Sequence, residues 1–235
     1  MPADLHEHVF EDPAPCLDAA AAFMRATLQR ALDRTQADGT AVGFMISGGR
    51  TPREILPRLA QAPLDWTRVV VTPSDERLVP AGHVDSTTGM ARTLLTGPAA
   101  AARIVGLDGA SDDAVQLYRT ALASVPRPLA LSFLGMGEDG HMASLFPGRP
   151  DDLTRTDALC FLVPETPPHR HPRMTHSLAS LLEAEAVVLV VAGAAKRAAY
   201  ERARMSPYPT PSPGALPISA LLHRPPVPVH VFLCP

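Results

Sequence analysis

Six short runs of apolar, partly β-branched residues recur along the chain, and the segments between them have helical character. Runs without polar alternation are typical of strands that are buried on both faces, as in a parallel sheet covered by helices. The runs occupy residues 41–46, 68–72, 129–134, 159–163, 186–192 and 227–233. This alternation predicts an α/β fold with a mostly parallel central sheet. Because proline cannot donate to a sheet ladder, the last strand should begin after Pro228 or lie at an edge.

Helices are predicted between these runs from apolar spacing, capping residues and glycine stops. Thr51–Glu54 has the pattern of a capping box, with Pro52 at the first helical position. The predicted helices cover residues 16–36, 51–59, 86–95, 112–124, 176–185 and 194–204. No internal repeat or linker divides the chain, so we expect a single domain over residues 1–235.

Composition limits the classes of function. The 235 residues are 46% hydrophobic, which is enough for a sizeable core. A net charge of −3 argues against general binding to nucleic acid or to an anionic membrane, because both need a basic face. A local basic pocket for a small anion remains compatible with that charge.

Cysteine usage and the N-terminal sequence bear on the compartment. No apolar stretch has the roughly 18 residues of a membrane span, and the first residues lack the features of a secretory signal. Cys16, Cys160 and Cys234 are far apart and form no CxxC pair, so we expect neither a zinc site nor a disulfide framework. A reduced cytoplasmic protein is the simplest interpretation.

Ser47-Gly48-Gly49-Arg50-Thr51 follows the run at 41–46 and precedes a predicted helix. Glycines permit a sharp turn, and the free N–H groups of a helix start favour an anion. Side chains of Ser47, Arg50 and Thr51 could add donors. An ordinary glycine turn, with Thr51 as the helix cap, is the alternative.

The charged string Asp75-Glu76-Arg77 follows the run at 68–72. Three consecutive charges directly after a buried strand are unusual for a simple connection. They indicate a ligand site at the end of that strand, because ligands of open α/β sheets bind at the carboxyl ends of strands. A solvated turn with an internal ion pair is the alternative.

The segment 135–148 follows the run at 129–134 and contains a GxGxxG pattern. Dinucleotide binding is disfavoured, because no helix opens there and no acid ends the next apolar run. Asp139 and His141, two residues apart among glycines, suit acid–base chemistry instead. Ser144 is not in a GxSxG elbow, so a serine-hydrolase triad has no support. His169 and His171 lie in a proline-rich loop and are interpreted as solvated.

Arg173 precedes a predicted helix, and Lys196 falls in the first turn of another. A cation at a helix N-terminus opposes the helix dipole unless an anion lies between them. This position therefore favours a bound phosphate or carboxylate. A surface lysine without a ligand is the alternative.

In their order and spacing, several strings together resemble the 6-phosphogluconolactonase family, within the group that includes glucosamine-6-phosphate deaminases. The resemblance covers about residues 44–196 and weakens towards the end. It rests on SGGRTP, W-x₂-VVVTPSDERLVP, MARTLL, LGMGEDGHMASLFPG, RMT and GAAK. It implies a Rossmann-like three-layer α/β/α domain that hydrolyses 6-phospho-D-glucono-1,5-lactone in the pentose phosphate pathway, with no required metal or cofactor.

The resemblance also implies roles for individual residues. His141 would be the base that activates water, with Asp139 and Asp75 as acidic neighbours. The substrate's phosphate and hydroxyls would be held by Ser47, Gly48, Gly49, Arg50, Thr51, Arg77, Arg173 and Lys196. Backbone N–H groups of 135–140 are the expected donors to the oxyanion. Two positions depart from the family pattern: Arg50 replaces a usual serine, and Thr87 a usual asparagine.

Two other functions are considered. The deaminase/isomerase branch carries a glutamate where Phe146 stands here, so aldose–ketose chemistry would lack an acid–base partner. A non-catalytic sugar-phosphate sensor should lack the acids and the histidine, or carry a DNA-binding appendage. The expected partner is a small phosphorylated sugar lactone, not nucleic acid or membrane, and the expected state is a monomer or homodimer.

Overall fold

Ten strands and eight helices follow one another in the computed structural model, which describes residues 5–80, 82–205, 216–223 and 226–235. The strands are β1 Leu5–Val9, β2 Val42–Ile46, β3 Val69–Pro73, β4 Asp75–Arg77, β5 Arg103–Ile104, β6 Leu131–Leu134, β7 Cys160–Val163, β8 Arg173–His176, β9 Val187–Ala192 and β10 Val229–Cys234. The helices are α1 Pro13–Arg34, α2 Arg50–Ala60, α3 Thr87–Leu94, α4 Asp112–Ala121, α5 Pro150–Leu153, α6 Leu178–Leu182, α7 Ala194–Met205 and α8 Ser219–Leu222.

Seven of these strands form a parallel sheet in the order β1-β10-β9-β6-β2-β3-β5. The predicted α/β class is therefore confirmed. Five of the six predicted strands belong to this sheet, and β2, β3 and β6 are buried along their whole length. The last strand begins directly after Pro228 and pairs on both sides, with β9 and with β1, so it is not an edge strand.

The apolar run at 159–163 is an exception to the parallel arrangement. It forms β7 of a small antiparallel sheet with the order β4-β8-β7. Residues 164–172 connect β7 directly to β8, and a direct hairpin can join only antiparallel strands. The sequence pattern did not predict β1, β4, β5 or β8, which are short or carry charged and histidine residues.

Helices cover both faces of the large sheet and create two apolar cores. Phe44 and Ile46 of β2 pack with α1, α2 and α3 on one face. Met45, between them, points to the opposite face, where α4, α7, α8 and the small sheet pack. This alternation follows from the period of two residues in a strand. None of the helices in the described ranges is long and apolar enough to cross a bilayer.

Two helix starts differ from prediction. Helix α2 begins at Arg50 after Gly49, and no side chain caps it, so the capping-box prediction at Thr51 is wrong. Thr51 is instead buried inside the helix. The helix predicted at 176–185 is reduced to α6, because His176 is the last residue of β8 and its buried backbone pairs with β7.

Candidate active site

The polar loops identified in the sequence meet at one end of the large sheet. They follow β2, β3, β6 and β9, which are consecutive neighbours in the sheet. From β2 the chain moves to β3 and β5 on one side, whereas β6 leads to β9 and β10 on the other. Open parallel sheets form a crevice where the strand order reverses in this way. A cleft of about 220 Å³ lies there.

Ten of the eleven residues predicted for the site line this cleft, and the eleventh, Asp139, contacts one of them, His141. The ten are Ser47, Gly48, Gly49, Arg50, Thr51, Asp75, Arg77, His141, Arg173 and Lys196. The remaining lining residues are Pro52, Gly135, Met136, Gly137, Glu138 and Ala143. Residues 135–138 belong to the loop whose backbone is expected to supply oxyanion donors, whereas Pro52 and Ala143 had no predicted role.

Asp139 and His141 form a hydrogen-bonded pair at the cleft wall. Nδ1 of His141 lies 2.5 Å from Oδ1 of Asp139, and the same oxygen accepts the backbone N–H of His141 at 3.2 Å. Burial alone would raise the pKa of Asp139, but its hydrogen bonds with His141 and His169 hold it well below the usual range. Asp139 is therefore ionised at neutral pH and can only accept hydrogen bonds.

Gly137 is required for this pair to form. A Cβ atom at Gly137 would lie 2.2 Å from Nδ1 of His141 and 2.5 Å from Oδ1 of Asp139. The imidazole thus packs directly on the backbone of its own loop, where the Gly137 N–H donates to the carbonyl of His141 at 2.9 Å. Any side chain at this position would displace the imidazole.

His169 is part of the same cluster, so the interpretation of this residue as solvated is wrong. Its Nε2 lies 3.0 Å from Oδ2 of Asp139, and its ring stacks on Phe146 with centroids 4.4 Å apart. The residue is 30 positions from Asp139, and no local pattern in the sequence signals the contact. His171, in the same loop, contacts Asp85 instead, at 3.3 Å.

Asp139, His141 and His169 also form a group that could hold a metal ion. Their ligand atoms all lie within 4.8 Å of one another, which is the case for no other trio of His, Cys, Asp or Glu in the described ranges. Both carboxylate oxygens of Asp139 already accept hydrogen bonds from the two imidazoles. A metal ion would have to replace those hydrogen bonds.

Asp75 lines the same cleft and is almost fully buried. Oδ2 accepts a hydrogen bond from Ser144 Oγ at 2.5 Å and pairs with Arg173 Nη1 at 3.3 Å. Burial would raise the pKa of Asp75, but the charges of Arg77 and Arg173 outweigh it and lower the pKa. Asp75 is thus a fixed negative charge that holds Arg173 in place.

Glu76 does not belong to the cleft although it follows Asp75 directly. Its carboxylate accepts the backbone N–H groups of Thr87 at 2.8 Å and Thr88 at 2.6 Å, at the start of α3. Burial raises the pKa of Glu76, and these hydrogen bonds oppose that rise. The period of a strand explains the separation, because consecutive side chains of β4 point to opposite faces.

Two further predicted residues, Ser47 and Arg77, make contacts within the protein. Ser47 Oγ accepts the backbone N–H of Gly135 at 2.8 Å and so joins the loops after β2 and β6. Arg77 donates from Nη1 to Thr87 Oγ1 at 3.3 Å. Thr87, one of the departures from the family pattern, is buried behind Arg77 rather than exposed in the cleft.

Lys196 and Arg50 lie together at the mouth of the cleft. Arg50 pairs with Glu138 at 3.6 Å, but its side chain is 86% exposed, so the pair adds little stability. Burial and the charge of Arg50 lower the pKa of the Lys196 amine, whereas Glu138 raises it. Within the described ranges no carboxylate lies within 4.0 Å of that amine. Lys196 is therefore a cation at a helix start, available to an anion.

Part of the expected oxyanion site is occupied by internal contacts. The N–H groups of Gly135, Gly137 and Gly140 donate to Ser47 Oγ, the carbonyl of His141 and the carbonyl of Gly137, respectively. These three groups are not available to a ligand. Of the predicted backbone donors to the oxyanion, the N–H groups of Met136, Glu138 and Asp139 therefore remain.

Comparisons with known proteins show which family the chain resembles. The sequence model of the family "Glucosamine-6-phosphate isomerases/6-phosphogluconolactonase" matches residues 14–225. A 6-phosphogluconolactonase of Pseudomonas putida is 39% identical over 100% of this chain and 95% of its own length. One from Caulobacter vibrioides is 36% identical over 88% of both chains. The crystal structure of a 6-phosphogluconolactonase from Shewanella baltica superposes with a TM-score of 0.88 at 29% identity, covering 100% of both chains.

Proposed function

The chain belongs to the glucosamine-6-phosphate isomerase/6-phosphogluconolactonase family and, within it, to the 6-phosphogluconolactonases, and on that premise we propose how its cleft works. The cleft binds 6-phospho-D-glucono-1,5-lactone and hydrolyses it to 6-phospho-D-gluconate, a reaction of the pentose phosphate pathway. A water molecule activated by His141 attacks the lactone. The observation that carries this proposal is the 2.5 Å contact between His141 Nδ1 and the ionised Asp139.

That contact determines which nitrogen of His141 can act as the base. An ionised carboxylate has no hydrogen to donate, so the proton of a neutral His141 must lie on Nδ1. Nε2 is then left with its lone pair, and within the described ranges it has no hydrogen-bond partner. The side chain lines the cleft, so this lone pair can accept a proton from a bound water.

The hydrolysis then proceeds in two steps, the addition of water to the carbonyl carbon and the loss of the ring oxygen from it. In the first, His141 takes a proton from water while the water oxygen bonds to the lactone carbonyl carbon, whose oxygen becomes an oxyanion. In the second, the bond from that carbon to the ring oxygen breaks, and the imidazolium returns its proton to the leaving oxygen. Asp139 stabilises the imidazolium between the two steps.

The cations of the cleft suit the phosphate of this substrate. Arg50, Arg77, Arg173 and Lys196 line the cleft, and among the residues that the structure describes only two carboxylates, those of Asp75 and Glu138, line it with them. Arg173 and Arg50 are paired with those carboxylates. Arg77 donates to the carbonyl of Asp85 and to Thr87 Oγ1, so Lys196 is the strongest candidate for the phosphate. Fixed cations of this kind bind substrate and transition state alike.

Aldose–ketose isomerisation is less well supported. Phe146 occupies the position at which the isomerases carry a glutamate. It is buried, and its ring centroid lies 5.2 Å from that of His141. A phenyl ring cannot move a proton between two carbons, so the second acid–base group of that reaction is missing.

The test is an assay of purified protein with freshly generated lactone, in which 6-phosphogluconate is detected by a coupled dehydrogenase. We expect hydrolysis well above the spontaneous rate, and no conversion of glucosamine 6-phosphate. Exhaustive chelation with EDTA should leave the rate unchanged, because the lactone carbonyl needs no Lewis acid when a base and oxyanion donors are in place. A rate that EDTA abolishes and one divalent ion restores would instead make His141 a metal ligand.

A further inference from the structure

His169 reaches the site from a different part of the fold than Asp139 and His141. The latter two lie in the loop after β6, whereas His169 lies in the β7–β8 connection, residues 164–172. The backbone N–H of His169 donates to the carbonyl of Thr166 at 2.8 Å, which closes a tight turn around two prolines. This turn presents the imidazole to Asp139.

Two contacts fix the ring in that position. It stacks on Phe146 with an angle of 16° between the planes, and it meets the ring of His141 edge-on at 4.7 Å. Its Nε2 lies 3.0 Å from Oδ2 of Asp139. The carboxylate therefore lies between two imidazoles, each of which contacts a different oxygen.

The charge of Asp139 decides the direction of both hydrogen bonds. Because an ionised carboxylate only accepts, Nε2 of His169 must carry a hydrogen, as Nδ1 of His141 does. We propose that His169 is a positioning residue, which holds Asp139 through this hydrogen bond and so keeps His141 in the orientation and tautomer that hydrolysis needs. The kinetic part of this inference rests on the proposed function.

Without His169, Asp139 would keep only the hydrogen bonds within its own loop. The carboxylate could then rotate away from His141, since 38% of its side chain is exposed to solvent. Phe146 would still cover one side of His141 but would not fix its ring nitrogens. The expected defect is in the chemical step and not in substrate binding, because the cations of the cleft are untouched.

Three substitutions at His169 separate the effect of this hydrogen bond from the effect of the size of the ring. His169→Gln places an amide N–H near the position of Nε2, His169→Asn is too short to do so, and His169→Ala removes both ring and donor. The Asn and Ala variants should lower kcat on the order of 10-fold, with KM within about twofold of wild type. The Gln variant should recover most of the loss.

His171→Gln is the matched control, because His171 belongs to the same loop but contacts Asp85 rather than Asp139. It should keep the wild-type kcat and KM. Thermal unfolding of all four variants checks that each is folded.

A second measurement needs no substrate. The Nδ1–H proton of His141 should give a protected downfield NMR signal in wild type and in His169→Gln, and that signal should be lost to exchange with water in His169→Ala. The proposal is overturned if His169→Ala keeps the wild-type kcat or the signal, if its loss is in KM, or if glutamine fails to rescue. A wild-type protein without lactonase activity would refute the proposed function, while the NMR comparison would still decide the role of His169.

Discussion

Two clusters of histidines at different places in the fold show what distinguishes the proposed catalytic site. In the cleft, His141 and His169 have ring centroids 4.7 Å apart. At the edge of the large sheet, His6 of β1 and His230 of β10 are also 4.7 Å apart, and Nε2 of His8 lies 3.2 Å from Nδ1 of His230. The shortest distance between imidazole centroids is thus the same in both clusters.

The difference between the clusters is a carboxylate. Asp139 lies between the two imidazoles of the cleft, whereas the acid beside the edge histidines, Glu7, faces away from them. Because successive side chains of a strand point to opposite faces of the sheet, Glu7 lies on the face opposite to His6 and His8, where it contacts Tyr200 and Arg204.

Within the part of the chain that the structure describes, the edge cluster therefore has no carboxylate that could fix a proton on one ring nitrogen. Burial, followed by the charges of His6, His8 and Arg30, lowers the pKa of His230 to about 4. The neutral ring packs on Phe23, with centroids 4.1 Å apart. Close imidazoles form a packing cluster, and a carboxylate between them is what makes a base with a defined tautomer.

Replacement of the proposed base should give the largest effect. His141→Ala should fold normally but lose on the order of 10²–10⁴-fold in kcat, since it removes the proton acceptor. His6→Ala in the edge cluster should keep wild-type activity. A coupled lactonase assay on both variants measures the contrast, and wild-type kcat in His141→Ala would remove this residue from the mechanism.

Loss of the carboxylate charge should have the next largest effect. Asp139→Asn keeps the shape of the side chain but no longer requires a proton on Nδ1 of His141, so kcat should fall on the order of 10²-fold. The matched variant Glu7→Gln alters the acid of the edge cluster and should leave kcat unchanged. If the two variants had equal kcat, the carboxylate would not explain the difference between the clusters.

The cations should affect binding more than chemistry. Lys196→Ala should raise KM on the order of 10-fold while kcat stays within about twofold, because a phosphate contact acts in ground and transition states alike. Arg173→Ala should raise KM and also lower the unfolding temperature, since it removes the ion-pair partner of the buried Asp75. Initial-rate kinetics and thermal melts separate the two; a pure kcat defect in Lys196→Ala would contradict a role in anchoring.

The smallest expected effect is on stability at the sheet edge. His230 has a pKa near 4 in the folded state against a usual value of 6.5, so below pH 6.5 the unfolded chain binds a proton that the folded protein does not. The neutral His230 ring therefore adds to the free energy of unfolding at neutral pH, and this contribution is lost as the pH falls from about 6.5 to about 4. His230→Phe should lose less stability than wild type between pH 7 and pH 5 in urea unfolding, and an equal loss would rule out this titration.

The local sequence pattern determined most of the large sheet and the position of the cleft. An uninterrupted apolar run such as that at 186–192 has no polar side to expose, so it must be covered on both faces. Consecutive parallel strands place their carboxyl ends at one edge of the sheet, and the loops after them therefore lie near one another. For this reason the amino-acid sequence alone relates the segments at 47–51, 135–141 and 196 to one site.

Only the tertiary structure decided which side chains act together across elements. The separation of Asp75 from Glu76 depends on β4, whose three charged residues have no apolar pattern and pair with β8 only in the folded chain. The contact between His169 and Asp139 depends on where a hairpin loop of nine residues, 164–172, packs. Local periodicity describes the burial of an element but carries no information on the neighbour that a loop meets, because that neighbour is set by the packing of both sheets.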